Sequence, residues 1–201
     1  MKSVLISIRP KWVEKIASGE KTIEVRKSAP KETPFKCYIY VTKPKKYYKC
    51  GAVSTSDELL WFANGKVEMG DGFEIWADGK EYECLSGKVI GEFMCDKVYN
   101  LINAFGGIVF ADENLNQLEP QLFRDMSCLT DKQTSDYLGY KDGYGLHISD
   151  LTIYDSPKEL SEYKTGCKGC KERDTYHCKF YCYGERPITR PPQSYMFVEE
   201  V

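Results

Sequence analysis

The sequence predicts an α+β fold built as one domain. Two observations carry that expectation. Segments of alternating residues, or of aromatic and β-branched residues, recur along the whole 201-residue chain. Apolar residues at helical spacing occur only in short stretches bounded by Gly or Pro. A hydrophobic fraction of 42% and an aromatic fraction of 13% are enough to build a core, and the length fits a single domain carrying insertions. No run approaches the roughly 18 apolar residues of a membrane span. The opening residues have too short an apolar run for a signal peptide, so the expected compartment is the cytoplasm. There the nine cysteines are read as free thiols or metal ligands.

In chain order, Val4 to Ile8 alternates apolar and polar residues and predicts a strand ended by Arg9-Pro10. Trp12, Val13, Ile16 and Ala17 then lie on one helical face, with Pro10 suited to the first turn and Gly19 to a left-handed stop. Thr22–Lys27 and Phe35–Val41 are the next two strands. Residues 51–86 hold eight acidic against two basic residues, with turn signals at Asn64-Gly65, Asp71-Gly72 and Asp78-Gly79. They read as an acidic insertion with a hairpin pairing Phe73–Trp76 with Glu81–Cys84. Lys88–Val98 is one strand, in which Gly91 marks a bulge or a close backbone approach. Leu115 to Met126 has helical spacing, and Thr130 to Gly139 carries a capping threonine with Gln133 three residues on. Gly143–Ile153 is a further strand, Ser156–Leu160 opens a helical turn, and Pro191-Pro192 leads into a last strand through Val198.

Charge is uneven. Residues 1–50 carry 13 Lys or Arg against four Asp or Glu, in a chain whose net charge is −2. A basic first quarter suits an anionic partner, nucleic acid above all, unless acidic segments fold back over it. Lys43, Lys45, Lys46 and Lys49 interleave with Tyr47 and Tyr48, a pattern that fits phosphate and base contacts as well as it fits a solvated loop.

Two clusters are candidates for chemistry. In Gly19-Glu20-Lys21-Thr22-Ile23-Glu24-Val25-Arg26-Lys27, strand alternation puts Glu24 and Arg26 on one face and Ile23 and Val25 on the other. That face is either a solvated ion pair or an acid-and-base site introduced by Lys21. Near the end of the chain, Cys167, Cys170, Cys178 and Cys182 follow a C-x2-C-x7-C-x3-C spacing with His177 adjacent. Four thiolates close a tetrahedral zinc site, and the polar segment around them would gain order from the metal. A structural zinc ion is therefore expected, with His177 as an alternative ligand to one of the four; reduced unliganded thiols and redox chemistry are the competing readings.

Gly19-x-Lys21-x-x-Glu24-x-Arg26 after a short helix resembles the GxKxxExR signature of ASCH domains, relatives of the PUA RNA-binding domains. Gly91-Glu92-Phe93, the Tyr144–Ser149 strand and Arg190-Pro191-Pro192-Gln193-Ser194 are similar to the prophage and Firmicutes branch of that family. The resemblance implies a small PUA-like mixed β-barrel with short helices at its openings, spanning residues 1–201. An insertion at 45–86 and a zinc-knuckle-like segment at 164–186 would decorate it. It further implies binding of RNA or of a modified nucleoside in a cleft formed by Gly19, Lys21, Glu24 and Arg26, with Tyr38, Tyr40 and His147 as further contacts. One ASCH branch hydrolyses the acetyl amide of N4-acetylcytidine with a threonine, a lysine and a glutamate. This chain keeps the lysine as Lys21, has Glu24 in the place of the threonine, and offers no matching glutamate. Other ASCH proteins resemble ribonucleases, for which Glu24 with Lys21, or His147, would be the acid–base candidates. A protein-interaction module using the acidic insertion and the cysteine segment is a third reading.

Overall fold

The computed structural model describes residues 3–43, 59–63, 66–70, 83–105, 107–166 and 185–199. The chain opens with strand β1 (Ser3–Ile8), helix α1 (Pro10–Ala17) and strand β2 (Ile23–Arg26). Pro10 occupies the first helical turn, Val13 and Ile16 are the buried stripe of α1, and Gly19 turns the chain at φ +79°. That is the left-handed conformation glycine adopts without steric cost. Strand β3 (Phe35–Val41) follows, then β4 (Leu60–Ala63), β5 (Lys66–Met69) and β6 (Glu83–Cys84). Next come β7 (Val89–Cys95), β8 (Val98–Ala104), β9 (Gly107–Ala111), helices α2 (Pro120–Ser127) and α3 (Asp131–Leu138), β10 (Gly143–His147) and β11 (Ser149–Lys158). A 3-10 turn (Leu160–Glu162) leads to β12 (Lys164–Gly166), β13 (Glu185–Pro187) and β14 (Tyr195–Val198).

The strands form a five-stranded sheet in the order β11-β7-β3-β1-β14 and a four-stranded sheet in the order β2-β10-β8-β9. Only β1 and β3 run parallel in the first; the second is antiparallel throughout. The two segments expected as single long strands are each bent in two. Lys88–Val98 breaks at Asp96-Lys97 into β7 and β8, and Gly143–Ile153 breaks at Ile148 into β10 and β11. Both cross from one sheet to the other at the same level, where the His147 amide bonds the Lys97 carbonyl and the Ile148 amide bonds the Thr22 carbonyl.

A closed barrel does not form among the described residues. Both ladder edges of β1 are taken, by β3 and β14, and β2, an edge strand of the second sheet, is laddered only to β10. Side chains bridge the gap between β1 and β2 instead, with the Arg26 guanidinium bonded to the Ser7 carbonyl.

The main core lies between α1 and the five-stranded sheet, with Val4, Ile6, Ile8, Phe35, Ile39 and Phe93 at its centre. Each such side chain taken fully from water contributes about 1.5–3 kcal/mol. The insertion is partly built into this core. Strands β5-β4-β6 form a small sheet, the Asn64-Gly65 signal falls between β4 and β5, and Leu60 and Leu85 are buried with the core residues. The Met69 amide donates to Glu14 Oε1 on α1, which pins the sheet to the helix. Glu83-Cys84 is β6 and pairs with β4; Phe73–Trp76 lies outside the described residues.

A second core covers the other face of the five-stranded sheet, and a third packs α2 and α3 on β2 through Ile23, Val25, Phe110, Phe123 and Leu138. Helix α2 starts at Pro120, five residues later than its pattern predicts, because Leu115 sits exposed at φ +65° and cannot be helical. Helix α3 has the expected capping box of Thr130 and Gln133 and ends at Gly139.

Candidate functional site

All four residues of β2 are buried: Ile23 and Val25 as expected, while burial of Glu24 and Arg26 excludes the solvated ion pair, one of the two readings of that face. Helices α2 and α3 cover Ile23 and Val25. Glu24 and Arg26 point the other way, into the gap between β2 and β1. Lys21 enters the same gap because the chain leaves α1 through Gly19 and the Lys21 amide bonds the Lys15 carbonyl.

The three charges form one buried cluster. Glu24 Oε2 is 3.5 Å from Lys21 Nζ, and its Oε1 is 3.0 Å from Arg26 Nη2. Lys21, 2% exposed, also donates to the Ser127 carbonyl at 2.6 Å, at the C-terminus of α2. A cation is favoured there by the unsatisfied carbonyls of the last helical turn. The Trp12 ring stands 5.3 Å from the same ammonium, with Lys11 4.9 Å from that ring. Burial pushes the Lys21 ammonium below its ordinary pKa, and Glu24 acts against that shift.

Arg26 Nη2 also donates to the Ser7 carbonyl at 2.7 Å. Its Nε, equally buried, has no hydrogen-bond partner. Lys21 is thus held by protein groups, both Glu24 oxygens are engaged, and Arg26 alone of the three keeps a buried donor unused. At the rim, Arg9 and Lys27 are exposed. Tyr137 of α3 lies within electrostatic reach of Arg26, Glu24 and Arg9, and Lys27 Nζ stands 5.5 Å from its ring. The segment before β14 closes one side, where the Ser7 hydroxyl donates to the Pro192 carbonyl at 2.7 Å.

The remaining sequence candidates are not brought to this gap. Tyr38 and Tyr40 point into the second core, on the opposite face of the five-stranded sheet. Tyr38 packs edge-on against Tyr163 with ring centroids 4.8 Å apart, and is fully buried. Strand alternation explains it: Cys37 and Ile39, which alternate with them, take the face toward the main core. His147 pairs with Ile23 across the ladder and so shares the face opposite Glu24. Its Nδ1 is 2.6 Å from Asp96 Oδ1, and its ring meets Tyr99 edge-on, at the bend where β7 passes into β8. Partial burial would raise the Asp96 carboxyl, yet the His147 bond leaves it below its ordinary value. Cys167, Cys170, Cys178 and Cys182, with His177, lie outside the described residues, as do Lys45, Lys46, Lys49, Tyr47 and Tyr48. Lys43 is described and packs over Gly87.

Trp12, Ser127 and Tyr137 are contacts the sequence did not reveal. The Lys21–Ser127 bond spans 106 positions, and no local pattern marks such a pairing.

This architecture matches a crystal structure of the ASCH protein from Zymomonas mobilis, with a TM-score of 0.52 at 16% identity over 99% of this chain and 89% of that one. The chain has the ASCH fold. A serine-to-alanine variant of the Zymomonas protein matches at a TM-score of 0.50 and 15% identity, again over 99% and 89% of the two chains. No protein-family model and no curated protein sequence matches. Within the ASCH fold of this chain, Gly19, Lys21, Glu24 and Arg26 fall together at the gap beside β2. Among the described residues no helix is long and apolar enough to cross a membrane, and no group of His, Cys, Asp or Glu is placed to hold a metal ion.

Proposed function

We propose that the chain binds single-stranded RNA, or a modified nucleoside within it, at the gap between β1 and β2. The observation that carries this reading is a buried Lys21–Glu24–Arg26 cluster whose one unused donor belongs to Arg26, with the exposed cations Arg9 and Lys27 at its rim. Exposed cations attract the phosphate backbone, and a guanidinium fixed by two protein acceptors is pre-organised to take a third. The ASCH fold agrees with that reading by analogy. Hydrolysis is less well supported. A general base must reach its substrate's proton, and Glu24 is buried between two cations.

Fluorescence anisotropy with a labelled single-stranded RNA dodecamer tests it. Binding is expected at low ionic strength, weakening as salt rises. The slope of log K against log salt should shrink by about 0.7 for each of Arg9→Gln and Lys27→Gln. No detectable binding of any RNA at low salt would overturn the reading.

We also propose a structural zinc ion on Cys167, Cys170, Cys178 and Cys182. The donor set supports it, and so does the pairing of β12 with β13. Gly166 lies opposite Glu185, so the two ends of the cysteine segment start side by side. About one equivalent of zinc is expected in purified protein, and a chelator should lower its thermal midpoint. Metal-free protein whose melt ignores chelator would refute the assignment.

A further inference from the structure

The gap beside Arg26 has a second wall, built by the last strand. The ladder of β14 on β1 covers Ser3–Ile6, and the next carbonyl along β1, that of Ser7, is the one Arg26 takes. The chain entering β14 closes on the same place. The Pro192 carbonyl accepts from the Ser7 hydroxyl, and Ser194 Oγ stands 3.3 Å from Oγ of Ser28, two residues beyond Arg26. Tyr195 comes next, opposite Ile6, and Phe197 lies opposite Val4. Directly opposed residues leave a sheet on one side. Both rings are therefore on the side of β14 that faces the main core, which holds Val4 and Ile6 and against which Tyr195 packs. Glu24 and Arg26 look toward that core as well, because Leu146, opposite Glu24, belongs to it. The Tyr195 and Phe197 rings meet edge-on, with centroids 5.7 Å apart and planes at 90°. Tyr195 is half-buried, whereas Phe197 is 49% exposed and belongs to none of the three cores.

We propose that the Tyr195–Phe197 pair is the base-stacking contact for a single-stranded RNA whose backbone is held at the Arg26 gap. The inference rests on the RNA-binding reading and takes its aromatic contact from β14, outside the GxKxxExR motif. Three physical features support it. The edge-on contact fixes the Phe197 ring before a ligand arrives, so less side-chain freedom is lost on binding. The open part of that ring is apolar surface that a flat base would cover, and stacking tolerates sequence because every base has a π-face. The exposed cations Arg9 and Lys27 at the rim of the same gap select an anionic chain. A chain that combines regular negative charge with flat, unpaired rings is a nucleic acid strand.

The test measures binding of a fluorescein-labelled oligouridine hexamer and of the same ribose-phosphate hexamer without bases. The full chain and its Phe197→Ala and Phe197→Tyr variants are compared, with far-UV and melting controls. Phe197→Ala should weaken the intact hexamer roughly ten-fold, with the salt slope unchanged, because stacking releases no counterions. Phe197→Tyr should stay within about two-fold of the parent, since the ring carries the contact. Against the abasic hexamer the parent and Phe197→Ala should bind alike. A hexamer carrying 5-iodouridine, irradiated in complex with the parent, should crosslink to the peptide that holds Tyr195 and Phe197, as mass spectrometry reads. That measurement uses the unaltered protein and so stands even if Phe197→Ala fails to fold. Equal binding of the intact hexamer by parent and Phe197→Ala, or crosslinks confined to other peptides, would overturn the stacking contact while leaving the RNA reading intact. So would an equal loss on intact and abasic hexamers. A parent protein that binds neither hexamer would remove both.

Discussion

Replacing Glu24 by leucine is expected to lower the unfolding free energy by about 3–5 kcal/mol, the cost of removing the shared partner of buried charges. The carboxylate serves two cations, Lys21 at 3.5 Å and Arg26 at 3.0 Å, and all three residues are under a tenth exposed. Leucine fills the volume and leaves two like charges facing each other in a low-dielectric gap. For a chain of this size the loss corresponds to roughly 6–20 °C in thermal midpoint, and urea titration measures it directly. The cluster acts as a unit, so the effects should not add. Adding Lys21→Met to Glu24→Leu removes one orphaned cation, and the double variant should be more stable than the sum of the single losses predicts. A loss below about 1 kcal/mol for Glu24→Leu would mean that the cluster behaves like an exposed ion pair.

The same cluster gives a pH signature. Burial holds the Lys21 pKa below its ordinary value, so the unfolded chain binds that proton more tightly than the folded one. Stability should then rise with pH from the folded-state pKa of Lys21 up to the ordinary lysine value of about 10.4. Lys21→Met should abolish that rise.

Gly91→Val is expected to cost about 3 kcal/mol, at the upper end of the range for overpacking. A Cβ at this position would stand 2.4 Å from the Thr152 carbonyl oxygen and 3.2 Å from the Ile153 Cα. Those are backbone atoms of β11, which cannot swing aside as a side chain would. The ladder between β7 and β11 already shifts register on both sides of this pairing, so strand separation there would propagate toward the bend at Ile148. Reduced stability with the denaturant m-value unchanged is the expected pattern; a variant as stable as the parent would show that β11 can move away without cost. The sequence had left Gly91 as either a bulge or a close approach. It is a close approach, with the register irregularity in β3 and β7 falling beside it.

How far the sequence carried depended on how local each cause was. The opening strand, α1 with Pro10 and Gly19, β3, and the capping box of α3 follow from neighbours within about four residues, and each stands where its pattern placed it. The bends at Asp96-Lys97 and at Ile148 were not legible. Each lies at or beside a pair of consecutive polar residues, Asp96-Lys97 and Ser149-Asp150, but such a break in alternation does not say that the strand is redirected to another sheet, a choice made by partners far along the chain. Strands β8 and β9 went unread although Gly106-Gly107 between two apolar runs is a hairpin signal.

For the candidate site the division is sharper. The eight-residue spacing from Gly19 to Arg26 determined which residues meet, because a strand puts Glu24 and Arg26 on one face and Gly19 returns Lys21 to it. The sequence by itself thus determined the motif, the basic first quarter and the α+β class. The tertiary structure decided that the motif face is buried rather than solvated, since β2 is laddered only to β10 and side chains bridge the gap to β1. It also decided that Tyr38, Tyr40 and His147 turn away, and that Tyr137 arrives instead. Alternation fixes which residues share a face, but which face meets the site depends on sheet pairing between segments about a hundred residues apart.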